Sequence, residues 1–406
     1  MKVSSNIVNQ APPTMDIYKE SVVLHKRLKG KLEVKSKIKV KDRHDLSLVY
    51  TPGVAEVCRQ IDKDKNKAYD LTIKNNSVAI VSDGSAVLGL GNIGPYAAIP
   101  VMEGKALLFK EYAGIDAFPI CVNTQNAYEI ISLVKNIAPV FAGVNLEDIS
   151  APRCFEIENS LQDIGIPVFH DDQHGTAIVL LAALINSARV AGKKLPELKV
   201  VISGAGAAGT AIADLLLCVG HDKNVCEPVR EIIMCDSKGI ISRTREDLEN
   251  NPVKIRLANI TNKNNLDGSL KDAIKGADVF IGVSKGNILT PEMIESMAKK
   301  PIVFAMANPE PEIMPDLAKE AGAFIVGTGR SDFPNQVNNV LAFPGVFRGA
   351  LDVRAKVITN KMKIAAAFAL AECVYKPSVD NILPSPLDKR VSKKIAKAVK
   401  KAYLDY

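Results

Sequence analysis

The chain has 406 residues, a formal charge of +7, 47 % hydrophobic and 24 % charged residues. This is ordinary globular usage at a length that predicts two or three domains with a sizeable core, so folding requires no disulfide or metal staple. Seven scattered cysteines without a C-x-x-C give no disulfide framework and no zinc knuckle. Apolar runs such as 177–185 and 364–371 are too short to span a bilayer, and the first 17 residues lack the apolar stretch of a secretory signal, so the expected setting is cytoplasmic.

In chain order, residues 26–43 hold nine basic and two acidic side chains. Within them Leu32, Val34, Ile38 and Val40 alternate with polar residues, predicting a half-exposed strand or extended arm. Residues 385–406 hold seven basic and two acidic side chains, so the excess positive charge is confined to two segments and the remaining body is acidic. A nucleic-acid surface needs basic residues interleaved with aromatics; the chain has no Trp, and these segments hold hardly any aromatics. No nucleic acid or membrane partner is expected.

Tyr50-Thr51-Pro52-Gly53 is a turn leading into a helix. Ser77–Ser82, Ala117–Val122, Val140–Val144 and Pro167–His170 are predicted strands. Gly175–Arg189 is apolar almost all round and predicts a buried helix. Strands follow at Lys199–Ser203, Glu231–Cys235, Ala277–Val283, Ile302–Ala305 and Ala323–Val326, separated by helical pieces, with terminal helices at Ala355–Glu372 and Val391–Ala402. This alternation predicts an α/β protein with a doubly wound parallel sheet.

G-x-G-x-x-G occurs at Gly89–Gly94 and again at Gly204-Ala205-Gly206-Ala207-Ala208-Gly209. The second follows a strand and opens an apolar helix, where backbone N–H groups can meet a pyrophosphate. The next strand ends in Asp236, placed to bind a ribose hydroxyl. Ser237, Lys238 and Arg243 could instead hold a 2′-phosphate, which tilts the coenzyme slightly toward NADP over NAD. The first motif runs into Pro95 and reads as a turn that shapes a pocket.

Glu147-Asp148 and Asp171-Asp172 each follow a short apolar run, at strand ends that face the ligand crevice of a parallel sheet. Clustered carboxylates suit Mg²⁺ or Mn²⁺; a solvated acidic pair is the commoner arrangement. His170 and His174 flank one pair, which leaves zinc as the weaker choice. Lys105 lies among apolar residues, where burial would lower its pKa and free an amine as a base. Tyr50 could offer a phenolic proton; Asn308, Asn338 and Asn339 could fix a carboxylate.

The sequence resembles the malic enzymes of the short microbial type. The matching stretches are Tyr50–Ala55, Ser82–Gly94, Met102–Lys105, Asn145–Ile149, Phe169–Thr176, Gly204–Gly209, Asp236–Gly239, Ala307–Pro309 and Asn338–Gly345, in family order over most of the chain. The resemblance implies a substrate domain over residues 1–162 and a dinucleotide-binding domain with C-terminal helices over 163–406. It implies Glu147, Asp148 and Asp172 as metal ligands, Asp171 behind them, Lys105 as general base and Tyr50 as general acid. Malate would meet Lys105, Asn308, Asn338 and Asn339 and leave as pyruvate, with NAD(P) reduced by a homodimer. Longer animal-type relatives place an arginine where this chain has Ala86, so another group must hold that carboxylate; Ser85, the asparagines and the metal are the candidates. The alternative is a metal-independent amino-acid dehydrogenase of similar two-domain layout, in which the acidic pairs would have no evident task.

Overall fold

A computed structural model describes residues 16–87, 90–220 and 226–405. Its first sheet contains β1 (Ser77–Ser82), β2 (Asp116–Cys121), β3 (Gly143–Leu146) and β4 (Val168–His170), all parallel, in the order β2-β1-β3-β4. The second contains β5 (Lys199–Ser203), β6 (Glu231–Asp236), β7 (Gly239–Ile240), β8 (Val279–Gly282), β9 (Ile302–Ala305) and β10 (Ile325–Thr328), in the order β10-β9-β8-β5-β6-β7. All its neighbours are parallel except the short antiparallel β7. Strand order reverses between β5 and β8, and the open end of such a reversal is where ligands bind.

The expected strands are present, Ser77–Ser82, Lys199–Ser203 and Ile302–Ala305 with the expected bounds and the others with edges shifted by one to three residues, because turn residues carry the same apolar character as the strand ends they adjoin. The central strands are buried on both faces, the signature of a parallel sheet covered by helices. β4 follows residue 163, yet pairs with β3 and completes the first sheet.

Helix Asp171–Ala191 begins at the acidic pair and runs through the core; it is the one described helix long and apolar enough to cross a membrane, and most of it is buried inside the protein. Helix Gly94–Ala113 connects β1 to β2, and its Phe109 stacks edge-on against Phe343 and Phe347, with centroids 4.7 and 5.2 Å away. Phe169 of β4 meets Phe347 at 5.7 Å. Each such edge contact adds about 0.5–1.5 kcal/mol beyond the area it buries. Helix Phe343–Asp352 therefore joins the C-terminal part of the chain to the first sheet.

The amino-terminal region departs from expectation. Residues 31–41 form no strand, and Leu32, Val34, Ile38 and Val40 are all exposed. Alternation supplies two faces, but a ladder needs a neighbouring strand, and no described strand accepts this one. The turn expected at Tyr50–Gly53 is present and leads into helix Val54–Lys63, but it is preceded by a short helix, Arg43–Val49, that was not expected. The cysteines also depart from the scattered free thiols expected: Cys218 and Cys226 form a disulfide, and the other five are free.

Candidate active site

The loops after β5 and β8 face the first sheet across a cleft of about 870 Å³. Lys105, Glu147, Asp148, Asp172, Asn308, Asn338, Asn339 and Gly206–Ala208 all line it, so residues as distant in the chain as Lys105 and Asn339 meet at one place. A second cavity of about 820 Å³ lies on the other side of the glycine loop, lined by Ser203–Gly206, Asp236–Gly239 and Lys254, and the two share Gly206.

Two of the three glycines of 204–209, Gly204 and Gly209, are required by close approach, whereas a Cβ at Gly206 would meet open space. Gly204 has a φ of +121°, and a Cβ there would lie 2.6 Å from the carbonyl oxygen of Val283; at Gly209 it would lie 1.8 Å from the Gly204 oxygen. Only glycine lets β5, the loop and the following helix pack this tightly. Residues 90–94 of the other glycine motif line neither cavity, and Gly89 lies outside the described residues.

Lys105 projects from helix Gly94–Ala113, its ammonium 2.8 Å from Glu147 Oε1, 2.5 Å from Asp171 Oδ2 and 4.2 Å above the Phe343 ring. Asn339 donates to the same Asp171 oxygen at 2.6 Å, and Asn145 donates to Glu147 at 2.8 Å. The Asp148 backbone N–H donates to Asp172 Oδ2 at 2.8 Å. Asp148 is held at a φ of +54°, a conformation rare for residues other than glycine and one that costs about 1–3 kcal/mol, typical of functional positions.

Glu147, Asp148 and Asp172 each offer an oxygen within 4.8 Å of the others. Burial and mutual repulsion raise the pKa values of all three, Asp148 to about 9. Burial likewise raises Asp171, to about 7. Asp148 Oδ2 is buried with no hydrogen-bond partner. An oxygen-only set with an orphaned carboxylate oxygen fits a hard divalent cation such as Mg²⁺ or Mn²⁺. Zinc gains no support: neither His170 nor His174 belongs to the cluster of ligand atoms, and His174 is bonded to Glu158 and Lys363 instead.

Lys105, Ser85 and Tyr50 stand in surroundings that the sequence did not suggest. Burial does act to lower the Lys105 pKa, but Asp171, Glu147 and Asp172 outweigh it and raise it above the ordinary lysine value. Ser85 does not reach the cleft: its hydroxyl donates to Asp83 at 2.6 Å and accepts from Ser150 N and Arg153, each at 2.9 Å. Tyr50 is 67 % exposed and absent from the cleft lining.

At the second cavity Asp236 stands where expected, but all four of its acceptor positions are occupied. Oδ1 accepts from Lys238 N at 2.9 Å and Arg245 at 2.8 Å, and Oδ2 from Arg245 at 3.1 Å and Lys254 at 2.5 Å. Arg243 instead bonds Asn265 and the Lys263 carbonyl and does not line the cavity. Arg245, two residues further on, bonds Asp236 and Asp247 and does not line the cavity either, whereas Lys254 does.

Sequence reasoning also missed Glu312. It is fully buried and accepts the N–H groups of Ser284 and Ala307, at 3.1 and 3.0 Å, tying together the loops after β8 and β9 that flank the cleft. Its only signal was an acidic residue close behind Asn308-Pro309.

Residues 29–162 match the family description "Malic enzyme, N-terminal domain", and residues 173–404 match "Malic enzyme, NAD binding domain". The chain belongs to the malic enzyme family. It is 59 % identical over 394 residues to the bifunctional malic/malolactic enzyme of Bacillus subtilis, covering 96 % of this chain and 94 % of that one. It is 57 % identical to the NAD-dependent malic enzyme of Geobacillus stearothermophilus, covering 92 % and 76 %. The crystal structure of the NAD-dependent malic enzyme of Thermotoga maritima superimposes with a TM-score of 0.89 at 50 % identity, covering 94 % of this chain and 98 % of that one. Relatives named NADP-dependent stand at 46 % identity, so these names do not support the slight tilt toward NADP expected from Ser237, Lys238 and Arg243.

Proposed function

We propose that this chain oxidises (S)-malate at C2 and decarboxylates the product, giving pyruvate, CO₂ and NADH or NADPH, with a divalent cation required. The observation that carries this reading is a buried lysine held among carboxylates, one with an orphaned oxygen, in a cleft that shares Gly206 with the adjoining coenzyme-sized cavity. A metal-independent amino-acid dehydrogenase is not favoured, because it would leave the repelling carboxylates without a task.

Glu147, Asp148 and Asp172 would hold Mg²⁺ or Mn²⁺, which supplies Lewis-acid stabilisation of charge developing on the substrate oxygen. With their charge neutralised, Lys105 loses the attraction of Glu147 and Asp172 while Asp171, its strongest partner, still holds it. Lys105 takes the malate hydroxyl proton. NAD⁺ or NADP⁺, held along Gly204–Gly209 with its adenosine end toward Asp236, Ser237 and Lys238, accepts the hydride from C2. The 2-oxo acid then loses its far carboxylate as CO₂, and the electron pair left behind is quenched by a proton delivered to C3. Asp171 and Asn339 keep Lys105 in place. Asn308 and Asn338 present amides to the substrate carboxylates. The division at residues 162/163 belongs to this reading, supported by a family match that ends at 162 and a second that begins at 173.

Tyr50 remains the proposed acid for C3, acting across a homodimer. Its exposure, together with that of Val34, Ile38, Val40, Leu46 and Leu48 in the same segment, supports a second copy covering this surface and receiving Tyr50 in its own cleft. Mixing Lys105→Ala and Tyr50→Phe proteins under conditions that exchange subunits is then expected to restore malate turnover, since each mixed dimer contains one site with both native residues. No recovery, with exchange verified, would reject the arrangement.

The test of the reaction is a spectrophotometric assay with malate, Mn²⁺ and NAD⁺ or NADP⁺ in parallel. Reduced coenzyme and pyruvate should appear in equal amounts; no coenzyme reduction with either would overturn the reading. Lactate is measured alongside. Its accumulation with only catalytic NAD⁺ would indicate the malolactic reaction, a second reading favoured by the name of the 59 % identical relative.

A further inference from the structure

Malate brings two carboxylates into a cleft with few cations to meet them. Among the described lining residues, Lys31 and Lys105 are the only lysines or arginines, and Lys105 is already paired with Glu147 and Asp171. Lys31 follows helix Ile17–Leu28 and crosses to helix Gly94–Ala113. Its backbone N–H donates to Glu103 Oε2 at 3.2 Å, which anchors the segment. Its ammonium donates to the Pro100 carbonyl and to His25 Nε2, each at 2.7 Å. A Cβ on Gly104, the residue before Lys105, would lie 3.8 Å from this ammonium. Burial lowers the Lys31 pKa, with Glu103 opposing. An ammonium has three donors, and the third is left for the cleft. Ala86 lines the same cleft and offers no polar side chain, while Ser85 is fully engaged elsewhere.

We infer that Lys31 binds the malate carboxylate that is retained in pyruvate, an inference that rests on the malate reading above. The choice between the two carboxylates follows from charge. The departing carboxylate must shed its charge to become CO₂, so a cation paired with it would stabilise the ground state and be lost in the transition state. The retained carboxylate stays charged throughout, and a cation there binds substrate and transition state alike. Such uniform binding lowers KM and leaves kcat nearly unchanged.

Steady-state kinetics of Lys31→Met, Lys31→Gln and Lys31→Arg test this, with Lys35→Met as a control on an exposed lysine of the same arm and thermal melts to check folding. Lys31→Met should raise KM for malate by about 10- to 100-fold, the loss of one hydrogen bond to a charged group, with kcat within about threefold. Pyruvate has only the retained carboxylate, so its KM in the reductive carboxylation should rise by a similar factor. Arginine should restore part of the loss, Lys31→Gln should behave like Lys31→Met, and the control should match the unsubstituted protein. A malate KM within twofold in both Lys31→Met and Lys31→Gln overturns the inference. So does a raised malate KM with an unchanged pyruvate KM, which would place Lys31 on the departing carboxylate, or a fall in kcat alone. Failure of the unsubstituted protein to turn over malate would instead reject the malate reading itself.

Discussion

Lys105→Ala is expected to lower kcat for malate by about 10²- to 10⁴-fold, the usual contribution of a positioned general base, with a much smaller effect on KM. Lys105 is the one cleft residue that combines a titratable amine with complete enclosure, and it is fixed from three sides by Glu147, Asp171 and the Phe343 ring. Lys105→Arg separates its two tasks. Arginine can keep an ion pair with the carboxylates but does not give up its proton near neutral pH. It should therefore preserve thermal stability better than alanine and be almost as inactive. Turnover within a few-fold of the unsubstituted protein in either variant would remove Lys105 from proton transfer.

The second large effect concerns the carboxylate cluster. Removing divalent cations should abolish malate oxidation, and returning Mn²⁺ should restore it. Asp148→Asn should be inactive at any Mn²⁺ concentration that supports the native sequence. The stability arm is independent of turnover. A carboxyl whose pKa is higher in the folded than in the unfolded chain costs stability as pH rises from about 4, the unfolded value, toward the folded value, about 9 for Asp148. In EDTA the melting temperature should therefore fall between pH 6 and pH 8, and Mn²⁺ should raise it more at pH 8 than at pH 6. At a hundredfold excess over Kd the gain is about 2.7 kcal/mol. Asp148→Asn removes the cost of keeping this carboxyl protonated in the folded chain, so in EDTA at pH 8 it should melt above the native sequence and respond little to Mn²⁺. A native protein whose melting is indifferent to Mn²⁺ at both pH values, with activity retained in EDTA, would eliminate the metal site.

The sheet of the second half was legible because buried parallel strands read as short apolar runs at regular spacing. The glycine loop was legible because its backbone leaves no room for side chains at Gly204 and Gly209. The acidic pairs could be located at strand ends, but their convergence with Lys105 depends on β3, β4 and helix Gly94–Ala113 lying side by side, which no local pattern specifies. The Lys105 pKa went the other way because burial was visible in the sequence and its three carboxylate neighbours were not. Period-two alternation over 31–41 names the faces of a strand without providing a partner for it. The Cys218–Cys226 bond joins residues eight apart with none of the spacing signals of a disulfide framework. Neither Arg243 nor Arg245 lines the cavity beside Asp236, because Arg243 bonds Asn265 and β7 turns the chain back so that Arg245 is held on Asp236 and Asp247.

The aromatic contact of Phe109 and Phe169 with Phe343 and Phe347 bears on how far the protein is modular. Phe343 caps Lys105 although it lies more than 200 residues away in the chain. A chimera that joins the first 162 residues to the nucleotide-binding half of a distant relative would give Lys105 a foreign lid, even with every strand and every metal ligand intact. The unit that must travel together is helix Gly94–Ala113 with helix Phe343–Asp352, and grafts that cut between them should lose turnover before they lose coenzyme binding.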